Sequence, residues 1–240
     1  MRGGRPRTDP PDDPLAWLER EPAQRVHSRQ AFQQQLDAID VELCDIAMIV
    51  STLVEPVTAA FLRADVRAAG EIVAADDEVD ARGLGLEDEC LALLARQAPV
   101  AGDLRRVVAV LRSIADVQRA GDLLGHVAAS LAWVHPPSMP RDLRAMIGRL
   151  GVVAGDVFAG AVAAWAAHDA LAAVELQALD DEVDHLQKSL LTSLYSGGHS
   201  AEDAVSVALI CRYYERIADH GVEMARQVTY FVTGERPAPA

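Results

Sequence analysis

Acidic residues stand four positions apart at Asp76 and Asp80, at Asp180 and Asp184, and at Glu215 and Asp219. On a helix these positions are neighbours, and like charges there repel, so their repetition calls for a compensating cation. Arginine can supply it, since Arg119 and Arg216 each stand three residues before an aspartate. A metal can also supply it. Hard carboxylate oxygens from two adjacent helices suit magnesium, manganese, calcium or iron, whereas zinc would draw on cysteine or histidine. Acidic faces are common on soluble helical bundles, so spacing alone leaves a solvated, salt-bridged face and a metal site both open.

The elements that must carry these residues are helices. Phe32, Leu36, Ile39, Leu43, Ile46, Val50, Leu53 and Val57 recur at alternating steps of four and three, a seam that predicts a long bundle helix. Pro56 is expected to end or bend it, with a second helix starting near Thr58 and carrying Ala68, Ile72, Ala75 and Val79 on one face. Gly83 and Gly85 weaken that helix locally. Asp103 is a natural N-cap for a third helix from Leu104 to about Val134, and His135-Pro136-Pro137-Ser138 then breaks the chain. Three further helical segments follow, at about 140–167, 169–195 and 201–232, with Gly197 and Gly198 between the last two. In the last one Val207, Ile210, Cys211, Tyr214, Ile217, Ala218, Gly221, Ala225 and Val228 form the apolar stripe.

Six helices in two groups of three contain an internal repeat. DVRAAGEIVAADDEVD at 65–80 and DALAAVELQALDDEVD at 169–184 agree at ten of sixteen positions, including the whole DDEVD. ADVQRAGDLLGHVA at 115–128 likewise aligns with RYYERIADHGVEMA at 212–225. This sets Gln118, Arg119, Asp122 and His126 against Glu215, Arg216, Asp219 and Glu223. The expected architecture is all-α: two tandem similar three-helix bundles at 30–135 and 139–235, preceded by a proline-rich, flexible extension at 1–29 with a candidate docking turn from Leu15 to Leu18.

Composition limits the function. The 240 residues carry 22 basic and 36 acidic side chains, a formal charge of −14, which disfavours nucleic acid as a partner. Half the chain is apolar but only 5% is aromatic, a balance that fits interlocking aliphatic helices and excludes general disorder. Cys44, Cys90 and Cys211 are odd in number and widely spaced, without a CxxC pair, and read as reduced thiols of a cytosolic protein. No run approaches the roughly 18–20 apolar residues that cross a bilayer, and the N-terminus lacks a hydrophobic signal core, so a cytoplasmic protein without membrane insertion is expected.

Other chemistries find little support. Glu182 and His185 have the E-x-x-H spacing of di-iron carboxylate bundles, but Glu78 and Ala81 occupy the equivalent places, so the required second copy is missing. His220 lies beside Asp219, yet Leu123 replaces it in the first half, which disfavours a phosphotransfer role. No glycine-rich loop or serine-nucleophile motif is present.

RQAPVAGDLR at 96–105, the R-x-x-D cores at 119–122 and 216–219, the following His220, and YFVTGE at 230–235 together resemble the PhoU family, accessory regulators of bacterial phosphate uptake. The likeness spans about 32–235 and includes the duplication. It implies a non-catalytic protein built of two similar three-helix bundles packed side by side, a homodimer, with metal clusters on paired E/D-x-x-x-D motifs. By matching position those ligands are Asp76, Asp80 and Asp122 in the first half, and Asp180, Asp184, Glu215 and Asp219 in the second. It further implies contact with the ATPase of a phosphate ABC transporter and with a sensor histidine kinase, holding signalling off when phosphate is plentiful. One departure stands out. Gln118 replaces the acid expected before Arg119, which predicts a more weakly held cation in the first half. A diverged paralogue serving another transporter is the alternative within the family.

Overall fold

A computed structural model describes residues 22–196 and 201–236, and side chains from Arg29 onward except those of Ala75 and Asp203. The described elements are helical: α1 Pro22–Arg63, α2 Val66–Gln97, α3 Ala101–Ala129, α4 Arg141–Ala167, α5 Ala172–Ser196 and α6 Ala201–Thr233. Short 3-10 turns at Ser130–Ala132 and Pro136–Ser138 fill the connection between α3 and α4. Most of the extension expected at 1–29, its docking turn, and Gly197 and Gly198 lie outside the described residues, while residues 22–29 open α1. By contact density the chain divides after Gln35, and the two bundles belong to the body from Leu36 onward.

Burial bears out six of the eight seam positions, while Phe32 and Leu53 are only half-buried and Val54 takes the buried place beside Leu53. Leu36, Ile39, Leu43, Ile46, Val50 and Val57 are all at most 3% exposed. Pro56, however, neither ends the helix nor starts another, because α1 continues through it to Arg63. Proline removes one backbone donor and crowds the preceding turn, but Val54, Val57, Ala60 and Phe61 are buried around it, and their packing keeps the segment helical. The stop comes at Ala64, which takes a left-handed φ of 56°, and Asp65 then caps α2 by accepting from the Ala68 amide at 3.1 Å. Helix α3 starts earlier than expected, at Ala101, so Asp103 lies in its first turn and Val100 occupies the cap position without a side-chain hydrogen bond. Its α-helical part ends at Ala129 rather than near Val134.

Within the first bundle α2 packs on α3; within the second, α4 packs on α5 and α6, and α5 on α6. The bundles meet through α3 against α6 and α1 against α4. Gly151 makes the second approach possible, because a Cβ there would stand 2.4 Å from Thr58 Oγ1. Gly221 does the same between α6 and α4, where a Cβ would lie 3.1 Å from the Phe158 Cα. At this seam the fully buried Tyr214 hydroxyl lies 2.7 Å from Thr58 Oγ1, which itself donates to the Val54 carbonyl at 2.7 Å.

All nine residues of the α6 stripe are buried. The three cysteines are unpaired, Cys90 and Cys211 buried and Cys44 partly so, with burial pushing the Cys44 thiol up to about 11. Two helices are longer and more apolar than the count of uninterrupted apolar residues suggests. The stretches Arg29–Arg63 and Arg141–Ala167 hold 18-residue windows of mean hydropathy 1.6 and 1.7. About half of each window is buried against the protein, which gives the apolar surface a place without a bilayer.

Candidate functional site

The repeated acids lie on two corresponding helix pairs. In the first bundle α2 carries Asp76 and Asp80 while α3 carries Asp122; in the second α5 carries Asp180 and Asp184 while α6 carries Glu215 and Asp219. Desolvation, followed by the charges of Asp122, Asp80 and Asp77, pushes the Asp76 carboxyl up to about 6. Desolvation also raises Asp180 to about 6, with Asp219, Asp184 and Asp181 adding to it. Glu215 rises to about 7, again chiefly by burial and then by Asp219, and Asp219 is raised by burial. These carboxylates therefore feel one another across the helix pairs, as the aligned sequence spacing anticipates.

The two sites are not copies in detail. The Asp76 carboxylate rests against the backbone of α3, where a Cβ at Gly121 would stand 2.6 Å from its Oδ1 and one at Gly125 3.7 Å from its Oδ2. Only glycine leaves that room. Ala218 and Val222 hold the corresponding places in α6, so Asp180 has no such cradle; it accepts instead from Gln177 Nε2 at 3.2 Å, and the Gln177 oxygen accepts from Arg226 at 2.7 Å. Acidic spacing alone gives no sign of Gln177 and Arg226, although Gln177 stands three residues before Asp180 on the same helix face. In the first half the amide of Gln118 lies 2.8 Å from where a Gly83 Cβ would be, which places it directly on α2.

Arginine does supply countercharge, partly where expected. Arg119 bonds Asp122 at 2.7 Å, and Arg212 bonds Glu215. The bonded arginine of the second cluster is thus Arg212, while the anticipated Arg216 acts on Asp219 through its charge, more weakly than Arg212 does. Lys188, the chain's single lysine, pairs with Asp184 at 3.0 Å. The E-x-x-H pair points elsewhere, Glu182 accepting from Arg149 at 2.6 Å and His185 bonding the Asp181 carbonyl. His220 reaches across to the first bundle, its Nδ1 2.9 Å from Asp116 Oδ1.

A hard cation fits this donor set in two respects. The ligands are carboxylate oxygens, and each cluster keeps one buried oxygen without a hydrogen-bond partner, Asp76 Oδ1 in the first and Glu215 Oε2 in the second. In a third respect the arrangement is unfinished: among the described residues no three His, Cys, Asp or Glu side chains are gathered closely enough to hold one ion. Arg119, Lys188 and Arg212 would have to release Asp122, Asp184 and Glu215 for these to serve an ion.

Two tandem three-helix bundles with matching carboxylate clusters on α2–α3 and α5–α6 define a class of duplicated helical protein. The chain belongs to the PhoU family: the PhoU domain model matches twice, at 43–131 and 147–228. It is 34% identical over 212 residues to the phosphate-specific transport system accessory protein PhoU homolog 2 of Mycobacterium tuberculosis, covering 87% of this chain and all of that one. Homolog 1 from the same organism is 32% identical over 215 residues, covering 87% and 96%. The crystal structure of PhoU from Pseudomonas aeruginosa superposes with a TM-score of 0.79 at 25% identity, over 85% of this chain and all of that one.

Proposed function

We propose that this chain is an accessory regulator of phosphate uptake and of phosphate-starvation signalling, acting by protein contact rather than by catalysis. The carrying observation is its match across the full length of a phosphate-transport accessory protein. In this reading Asp76, Asp80 and Asp122 hold one cation site and Asp180, Asp184, Glu215 and Asp219 the other, with magnesium, manganese, calcium or iron as the ion. A bound ion neutralises clustered carboxylates and ties α2 to α3 and α5 to α6. The partners are the ATPase of a phosphate ABC transporter and a sensor histidine kinase. The protein holds starvation signalling off when phosphate is plentiful, as a cytoplasmic homodimer that reaches the membrane only through those partners. A charge of −14 supports the last point, since anionic lipid repels it while basic protein surfaces attract it.

Deleting the gene should derepress phosphate-starvation genes in phosphate-rich medium, and recovery of the protein from such cells should bring the transporter ATPase with it. An unchanged response together with no ATPase in the recovered complex would overturn the proposal. A second reading, a paralogue serving a different transporter, is supported by two observations: Gln118 in the first site, and the coexistence of two named homologues in one mycobacterium. Under that reading the recovered ATPase belongs to another transporter and phosphate-starvation genes stay silent.

A further inference from the structure

The cation sites leave RQAPVAGDLR and YFVTGE unexplained, although these segments are some 130 positions apart and meet where α3 begins and α6 ends. A Cβ at Gly234, which takes a φ of 84°, would lie 3.4 Å from Arg105 Cζ, and one at Gly102 would lie 3.9 Å from Arg105 Nη2. The Arg105 guanidinium is thus held between the first turn of α3 and the chain leaving α6. Its Nε is buried and has no hydrogen-bond acceptor.

Two further arginines stand against Tyr230, one helical turn before Gly234 in the chain. Arg112, two turns along α3 from Arg105, stands 5.8 Å from the centre of the Tyr230 ring, and Arg236 stands 5.3 Å from the same ring. Cation–π contact attracts each guanidinium but neutralises neither. Among the described residues Arg105, Arg112 and Arg236 have no ion-pair partner, whereas neighbouring Arg106 is taken up by Asp37 at 2.8 Å and by Asp40. Asp103 lies in the first turn of α3 and offsets the positive end of that helix, so the positive potential here comes from the guanidinium groups themselves. In a chain with fourteen more acidic than basic residues, three unmatched guanidinium groups at one end of the molecule mark a place built to receive an anion.

We propose that Arg105, Arg112 and Arg236, arranged about Tyr230 and Gly234, form a binding site for a tetrahedral oxyanion of the phosphate type. Guanidinium presents its N–H groups as a planar fork that matches two oxygens of such an ion, and a doubly charged ion suits several arginines better than a single carboxylate does. The ion is either free inorganic phosphate or the phosphomonoester of a small molecule. None of these residues belongs to the carboxylate clusters, so the site stands whether or not those clusters bind cations.

The test is a titration of the full chain, stripped of metal by chelator, with inorganic phosphate and separately with AMP as a phosphomonoester, read by the Gly234 amide and the Tyr230 ring in NMR spectra. Saturable shifts are expected with at least one of the two. Arg105→Gln should weaken binding at least about tenfold, as loss of a charge-assisted fork does. Arg112→Gln, at an exposed position that does not threaten the fold, should weaken it several-fold. Shifts that fail to saturate with either ligand, that survive Arg112→Gln unchanged, or that appear only after metal is restored would overturn the proposal.

Discussion

At the scale of single residues, the carboxyls of Asp76, Asp180 and Glu215 are the most informative, because folding holds all three above their ordinary range. A group whose proton is bound more tightly in the folded state penalises folding when it is ionised. The penalty is full above the folded value, is relieved as pH falls through about 7 to 6, and is gone below the ordinary carboxylate range near 4. Metal-stripped protein should therefore gain thermal stability, relative to Glu215→Gln, when the pH is lowered from 8 to 6. Only about one pH unit of this relief falls between 8 and 6, which keeps the gain modest, on the order of a few degrees. A difference between the two proteins that does not change with pH would contradict this account. Protons and cations compete for these oxygens, so the same acidification should weaken metal retention.

Gln118 makes the residue scale asymmetric. An amide offers one oxygen and no charge where Glu215 offers a carboxylate, so during graded chelation the first half should empty before the second. Elemental analysis can follow this. Glu215→Ala combined with Asp219→Ala should remove the more tightly held ion while helix content by circular dichroism stays near wild type. Equal retention by both halves, or unchanged stoichiometry in that double variant, would refute the assignment. Asp76, Asp80 and Asp122 stand out in the sequence because the duplication repeats them as Asp180, Asp184 and Asp219, whereas Glu215 has no acidic counterpart and stands out only by its spacing from Asp219. Their partners were less legible: Arg119–Asp122 and Arg212–Glu215 are both i,i+3 pairs, but the repeated R-x-x-D core points to Arg216, which acts on Asp219 through its charge.

At the scale of elements, six helices and their buried stripes could be read from periodicity alone, because aliphatic spacing sums over many residues. Boundaries could not, since each rests on one local contest. Pro56 lost its contest to the packing of Val54, Val57 and Phe61, and Asp103 is no cap because the chain turns helical three residues sooner, at Ala101. Glycines separate the same two influences. A Cβ added at Gly85 would meet nothing within 4 Å, so Gly85→Ala should stabilise by about 0.5–1 kcal/mol through helix propensity. Gly221 gains the same propensity, but its Cβ would press on the Phe158 backbone at 3.1 Å, where overpacking costs about 1–3 kcal/mol. Gly221→Ala should come out destabilising in urea unfolding; a stabilised protein would mean that α4 and α6 can separate freely.

At the scale of the whole molecule, the duplication suggests two bundles that could stand alone, yet their seam argues for one cooperative unit. Helix α3 packs on α6, and the fully buried Tyr214 of the second bundle is bonded to Thr58 of the first. Thr58 has a single hydroxyl proton and directs it to the Val54 carbonyl, so Tyr214 must be the donor across the seam. The two ends of this bond are therefore unequal. Tyr214→Phe removes the donor and leaves Thr58 bonded to Val54, a loss of about 1 kcal/mol. Thr58→Val keeps the shape but strands the Tyr214 hydroxyl in the core, a cost of about 1–3 kcal/mol. Thr58→Val should accordingly destabilise more than Tyr214→Phe, and adding Tyr214→Phe to it should recover part of the loss. Each variant should unfold in one transition by both near- and far-ultraviolet dichroism, since the seam couples the bundles. Two separated transitions in the wild-type chain would show instead that the halves fold independently and that the seam is a late, weak contact.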